Sequence, residues 1–291
     1  MRARAAGSRA AERGGRAGDK AKGGPAFDPA TAAFLEEIYG ACNVGERLRR
    51  DPLAVVAAYP DPADRELAGL FASTLAFGSV DLILRAVREA LAPLGPSPAK
   101  ALGAMGESEM RDAWGGFQYR YCFPKDMVAL ARGARRALDG AGSLEAFFLR
   151  GDPGGEDVVR AAGSFAARLK ALGEGEGGGL RGNLLPEPAK GSACKRLFLY
   201  LRWMVREDAV DPGGWPRVER SRLVVPIDTH MARVCSARLG FIPRPAADLK
   251  AALAATAGFR LYAPEDPVKY DFALTRPGID PEPGDERFSC G

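Results

Sequence analysis

The sequence predicts an all-α fold, on three observations. Apolar residues recur at helical spacing in one segment after another, as with Phe34, Leu35 and Ile38, or with Leu82, Ala86, Val87, Ala90 and Leu91. Glycine, proline or short polar breaks separate these segments, and an aspartate often stands where an N-cap belongs. Strand signals are few, and Leu223-Val224-Val225 before Pro226 is extended but short. Helix after helix with such punctuation is the pattern of an all-α domain.

Taken in order, Pro29–Asn43 is the first expected helix. Asp51-Pro52 makes a cap and first-residue pair for a helix through Tyr59, and Asp61-Pro62 opens a further turn. Asp64–Phe77 is strongly apolar and is stopped by Gly78; Ser79–Ala92 is amphipathic and is stopped by Pro93 and Gly95-Pro96-Ser97-Pro98. Met127–Leu138, Leu144–Leu149 and Val158–Leu172 follow. The glycine-rich stretch 173–182 cannot be a stable helix, and reads as a mobile surface loop or a hinge between lobes. Helices resume at Ser192–Arg206, Thr229–Leu239, Asp248–Ala257 and Pro264–Leu274.

At 291 residues and 46% hydrophobic content, the chain can bury one sizeable core. A disordered basic leader is expected over 1–26, and a single two-lobed helical domain over 27–290. Residues 1–24 carry seven Lys/Arg against Glu12 and Asp19, a net +5, so the remainder has 34 basic and 35 acidic residues, a net −1. Global charge therefore gives the folded part no claim on nucleic acid, and any such surface must be a local patch. The leader either attracts phosphates without sequence preference or simply solubilises the chain. No run of about 18 apolar residues exists, so no membrane span is expected. The leader lacks the apolar core of a secretory signal. The five cysteines, Cys42, Cys122, Cys194, Cys235 and Cys290, form no CxxC pair. Neither a metal site nor a disulfide framework is expected, and a reducing cytoplasm is the natural compartment.

Two segments carry chemistry. In Pro226-Ile227-Asp228-Thr229-His230 an extended approach ends at a proline, and Asp228 stands at a helix N-cap. Backbone N–H groups and the helix dipole hold a carboxylate there ionised and aimed, which suits stabilising positive charge or activating a water. By residue type alone it is also an ordinary cap. Upstream, Lys195 falls in the first turn of the helix 192–206, where a cation is disfavoured and a neutral, nucleophilic amine is favoured. Alone it is equally a solvated surface lysine. Lys195, Arg202 and Arg206 share the side of this helix opposite Leu197, Leu201, Met204 and Val205.

Together the segments resemble the catalytic core of the helix-hairpin-helix DNA glycosylases, the HhH-GPD superfamily, in which a hairpin leads into a lysine-bearing helix and a later aspartate opens another. Pro226–Val234 matches the aspartate segment closely. The long interval from lysine to aspartate looks most like the archaeal 8-oxoguanine DNA glycosylase branch. The helix pair 67–92 and the Gly-aromatic-Arg stretch 114–121 are similar to elements of the same superfamily. Over residues 30–290 the chain resembles an uncharacterised bacterial family, a domain of unknown function distantly related to these enzymes.

The resemblance implies a base-excision glycosylase, with or without AP-lyase activity, acting on damaged bases such as oxidised purines. It implies Lys195 as nucleophile and Asp228 as the catalytic carboxylate, with no metal or other cofactor. The hairpin departs from the superfamily pattern, since Gly191 precedes Lys195 by four residues; Lys190, Gly191 and Ser192 are the candidates for gripping a phosphate. Arg202, Trp203, His230, Arg120 and Phe272 are further candidates for contact with DNA or base. Trp203 and Trp215 either stack on a flipped base or fill the core. His230, the sole histidine, is mainly structural in the superfamily pattern. Phe117, Tyr119 and Arg120 line a base pocket or begin a buried helix. Asp271 or Phe272 touches the base if the C-terminal helices return to the pocket. The expected partner is double-stranded DNA bound by a cytoplasmic, nucleoid-associated monomer. A non-catalytic DNA-binding protein, or a helical protein acting on RNA or nucleotides, is the alternative.

Overall fold

The computed structural model describes residues 25–288. Most of the expected leader, and Cys290, lie outside the described residues. Among the described residues there are thirteen α-helices and no β-strand. In chain order they are α1 (Pro29–Cys42), α2 (Leu53–Ala57), α3 (Pro62–Leu75), α4 (Val80–Leu91), α5 (Pro98–Ala104), α6 (Glu107–Trp114), α7 (Pro124–Ala141), α8 (Leu144–Leu149), α9 (Val159–Gly173), α10 (Lys195–Val205), α11 (Thr229–Arg233), α12 (Leu249–Arg260) and α13 (Asp271–Ile279). None is long and apolar enough to cross a membrane.

Capping explains where several of them begin. Asp28, Asp61, Ser143 and Asp248 each accept backbone N–H bonds from the first turn that follows. Asp61-Pro62 is therefore the cap and first residue of α3 and not a separate turn. Two of the helices, α5 and α6, were not expected from the sequence. Pro98, read as a stop, is the first residue of α5, because a proline lacks only an N–H that is unpaired at that position anyway. The polar α6 shows only Met110 and Trp114, one turn apart, to the core, too few apolar positions to register as a period. Near the C-terminus, residues 263–270 form turns and the helix starts only at Asp271, running on through Pro277.

Buried side chains form one continuous cluster that draws on every helix from α1 to α13. Helix α7 packs against α5, α6, α8 and most extensively α9; α3 packs against α2, α4, α5, α8 and α10; α13 packs against α1 and α11. The α7–α9 crossing is close because both helices are small where they meet. A Cβ on Gly133 would lie 2.6 Å from the Leu169 carbonyl oxygen, and one on Gly173 would lie 2.6 Å from that of Ala129. Beyond α9 the glycine-rich stretch wraps a buried cation. Arg132 donates to the carbonyls of Gly173, Glu176 and Gly178 and pairs with Glu107.

A second buried polar centre joins three parts of the chain. The Glu66 carboxylate on α3, 3% exposed, accepts from the backbone of Leu144 and Glu145 and from Trp215 Nε1. It thereby caps α8 and anchors the loop after α10. Burial raises its pKa, while the three N–H donors act in the other direction.

Gly133→Ala forces backbone apart at the α7–α9 crossing, and the helix-propensity gain of about 1 kcal/mol does not offset it. A net loss of about 1–3 kcal/mol is expected in urea denaturation, with the helical circular dichroism of the native state retained.

Candidate active site

Helix α10 begins from a constrained turn. A short 3-10 turn over Pro188–Lys190 ends at Gly191, whose φ of +76° suits glycine. The Gly191 carbonyl accepts from Leu249 N, and Ser192 Oγ accepts from Cys194 N. Cys194, the residue before Lys195, has φ +45°, a left-handed conformation that costs a non-glycine residue energy. Lys195 is thus the first residue of α10, and α10 is held against α3 by Tyr200, whose hydroxyl donates to the Glu66 carbonyl.

The aspartate arrives on a buried extended strand of chain. Leu223, Val224, Val225 and Ile227 are all in the core, and Val225 N–H donates to Thr256 Oγ1. Asp228 then caps α11, its Oδ1 accepting from His230 N at 2.9 Å and Met231 N at 2.8 Å. Its other oxygen accepts from Lys195 Nζ at 2.6 Å. The structure brings the two together across 33 residues of chain. Helix α11 continues as a π-turn, Val234–Arg238, so the expected helix 229–239 is wound more widely in its second half.

The pair lines a cavity of about 540 Å³, within the range of about 300–1,000 Å³ typical of small-ligand sites. Two further ion pairs line it. Arg202 Nη1 donates to Asp271 Oδ2 at 2.6 Å, and Arg276 Nη2 lies 3.1 Å from Asp51 Oδ2. Apolar walls come from Phe77, Ile83, Leu199, Phe272 and Ile279. No cluster of His, Cys, Asp or Glu among the described residues has the makings of a metal site.

Burial alone would raise the Asp228 carboxyl, but the Lys195 ammonium and the Met231 N–H outweigh it, and its pKa lies below the ordinary value. His230 is half-buried and stacked tightly on α13, where a Cβ on Gly278 would lie 2.0 Å from its Cε1. Burial pushes the imidazole below its ordinary 6.5, against the opposing pull of Asp228. Burial also raises the Asp271 carboxyl, although Arg202 opposes it.

Several candidates take other places. Trp203 is 1% exposed in the core and cannot stack on a base; Trp215 is equally buried and bonded to Glu66. Arg202 and Arg206, expected on a basic helix face, are interior. Arg202 gives Nε and Nη2 to Asp211 and Nη1 to Asp271, which leaves no nitrogen for a phosphate. Arg206 bridges Asp208, Asp211 and Asp266. Phe272 borders the cavity, and Arg276 and Arg202 lie over its ring at 4.3 and 5.6 Å. Phe117 and Tyr119 are core residues. Arg120 is exposed with φ +52°, beside Gly78 at the α3–α4 turn and outside the cavity that holds Lys195 and Asp228. Lys190 and Gly191 are exposed and Ser192 half-buried, on a turn that does not line the cavity. Arg276 and Asp51 are lining residues that sequence patterns did not single out as functional, since Asp51 reads as a helix cap and nothing local marks Arg276.

The chain matches the family described as "Protein of unknown function (DUF2400)" over residues 51–280. It belongs to this family. The matched span contains α2 to α13 and every residue that lines the cavity. No curated protein and no solved structure matched the chain.

Two outcomes are expected. Because Arg202 is buried between Asp211 and Asp271, Arg202→Ala strands the buried Asp271 carboxylate, leaves Asp211 to Arg206 alone, and costs about 3–5 kcal/mol, measured by chemical denaturation. Because the chain has one histidine, its imidazole resonances report His230 alone. They should titrate below 6.5, and lower still in Asp228→Asn, which removes the carboxylate that favours the charged ring. The unfolded state takes up the proton first, so His230 contributes stability above 6.5 that is lost as pH falls toward the lowered value.

Proposed function

We propose that this chain is a DNA base-excision glycosylase with associated lyase activity, on a two-lobed helical fold of the HhH-GPD type. The observation that carries the reading is the Lys195–Asp228 contact inside a cavity of nucleoside-scale volume. A damaged base flipped out of the duplex, at a cost of a few kcal/mol, enters this cavity. Positive charge develops at C1′ as the base leaves with the electrons of the glycosidic bond. The ionised Asp228 stabilises that charge in this reading, and its depressed pKa supports its remaining ionised at neutral pH. The Lys195 ammonium passes a proton to the departing base, and the amine so freed forms the new bond to C1′. Opening of the sugar ring then yields a Schiff base, from which β-elimination breaks the 3′ C–O bond.

The near-neutral charge of residues 25–291 favours a second reading, in which the same pair acts on a nucleotide or RNA and not on a duplex. Competition of duplex DNA against RNA and free nucleosides separates the two.

Incubation with a duplex carrying 8-oxoguanine in the presence of borohydride should give a covalent adduct, and Lys195→Gln should abolish it. Asp228→Asn should slow base release on the order of 10²–10³-fold. Failure of every lesion duplex to yield an adduct or an abasic site would overturn the proposal.

A further inference from the structure

The cavity holds hydrogen-bond donors that the Lys195–Asp228 chemistry does not use. Arg276 is 3% exposed and is held by Asp51 on one side and the Phe272 ring on another. Its Nε and Nη1 are buried and have no partner among the described residues. Unpaired donors on a buried guanidinium are costly, and a native site that retains them calls for an acceptor. The same cavity receives the N-terminus of α4, since Gly78, Ser79 and Val80 all line it. This helix has twelve residues, and Ser79 at its N-cap makes no side-chain capping bond. The start of α4, with the positive end of its dipole, therefore borders the cavity without the side-chain acceptor that caps α1, α3, α11 and α12.

The remaining charges cancel. Lys195 is matched by Asp228, Arg202 by Asp271 and the net charge of Arg276 by Asp51. Asp81, in the first turn of α4, is 76% exposed and paired with Arg50. The surplus is thus one of donors, located at the spare nitrogens of Arg276 and at the start of α4.

We propose that this part of the cavity is a phosphate-binding subsite. It holds the phosphoryl oxygens of a nucleotide unit whose sugar meets Lys195 and Asp228, with the guanidinium swinging on its Asp51 contact to present Nε or Nη1. Backbone N–H groups at a helix start and an arginine form a recurrent pairing for this anion. The inference rests on the reading that the cavity takes a nucleotide. The phosphate is a diester of a DNA strand or the terminal group of a free nucleotide.

The test measures binding to the full chain, by calorimetry or chemical-shift titration, of inorganic phosphate, a deoxynucleoside 5′-monophosphate with its nucleoside, and a duplex bearing a tetrahydrofuran abasic analogue. Ser79→Asp is the decisive variant, because it caps α4 from within and puts a carboxylate where the anion would sit. It should melt at or above the wild-type temperature yet bind phosphate at least tenfold more weakly. Arg276→Gln should show the same loss. A loss confined to the duplex assigns the strand diester, and one confined to the monophosphate assigns a free nucleotide. Wild-type chain that binds no phosphate, or Ser79→Asp protein that binds all three probes within twofold of wild type, overturns the subsite. Neither result depends on borohydride trapping, so the subsite and the glycosylase reading fail separately.

Discussion

The arrangement of this protein turns on Arg202. Its guanidinium is 3% exposed, and every nitrogen is bonded to a carboxylate, of Asp211 nine residues on or of Asp271 sixty-nine residues on. Two buried carboxylates outweigh the desolvation that would otherwise discharge it, and its pKa rises above the ordinary value. Through Asp271 it locks α10 to α13. Through Asp211 it shares a partner with Arg206, which extends the network to Asp208 and Asp266. Asp208, held by Arg206 and by the N–H groups of Val210 and Asp211 against the burial that would raise it, has a pKa of about 2. Such a network is sensitive to geometry, since a shift of either helix would expose unpaired charge to an apolar interior.

That lock matters to the site because Lys195 and Arg202 are two helical turns apart on one side of α10. Fixing Arg202 to α13 fixes the bearing of Lys195. Asp228 is fixed from another direction, by its capping bonds to His230 and Met231 and by the buried approach through Val225. Helix α11 then stacks on α13 through His230 and Gly278. Helices α10 and α11, both anchored on α13, therefore hold the lysine and the aspartate at 2.6 Å. The left-handed backbone at Cys194 and the π-turn after α11 are local departures from regular geometry on either side of this contact, in keeping with the tendency of strain to collect at functional sites.

The helical succession was legible in the sequence, from the apolar periods of α1, α3, α4, α7, α9, α10 and α12 and from capping residues such as Asp51 and Asp228. The errors have definite causes. Helix α6 is short and polar, so its two core contacts do not make a period. Pro98 carries the same local signal whether it stops one helix or starts the next. Arg202 and Arg206 looked like a solvated basic face, because charge at helical spacing is usually outside; only their carboxylate partners permit them inside. Trp203 follows the same logic in reverse, a large aromatic that the core absorbs whole.

By itself the sequence determined the all-α class, the punctuation between helices, and the two residues whose local positions suit them to chemistry, a lysine at one helix start and an aspartate at another. These are properties of short windows, set by backbone hydrogen bonding and the period of apolar side chains. Only the tertiary structure decided that Lys195 and Asp228 meet, that Arg202 is spent on Asp211 and Asp271, and that Arg276 and the start of α4 open on the same cavity. Those outcomes depend on which charges find partners when distant segments are buried together, and in a low-dielectric interior pairing decides whether a charge is tolerated at all. No window of the chain contains that information.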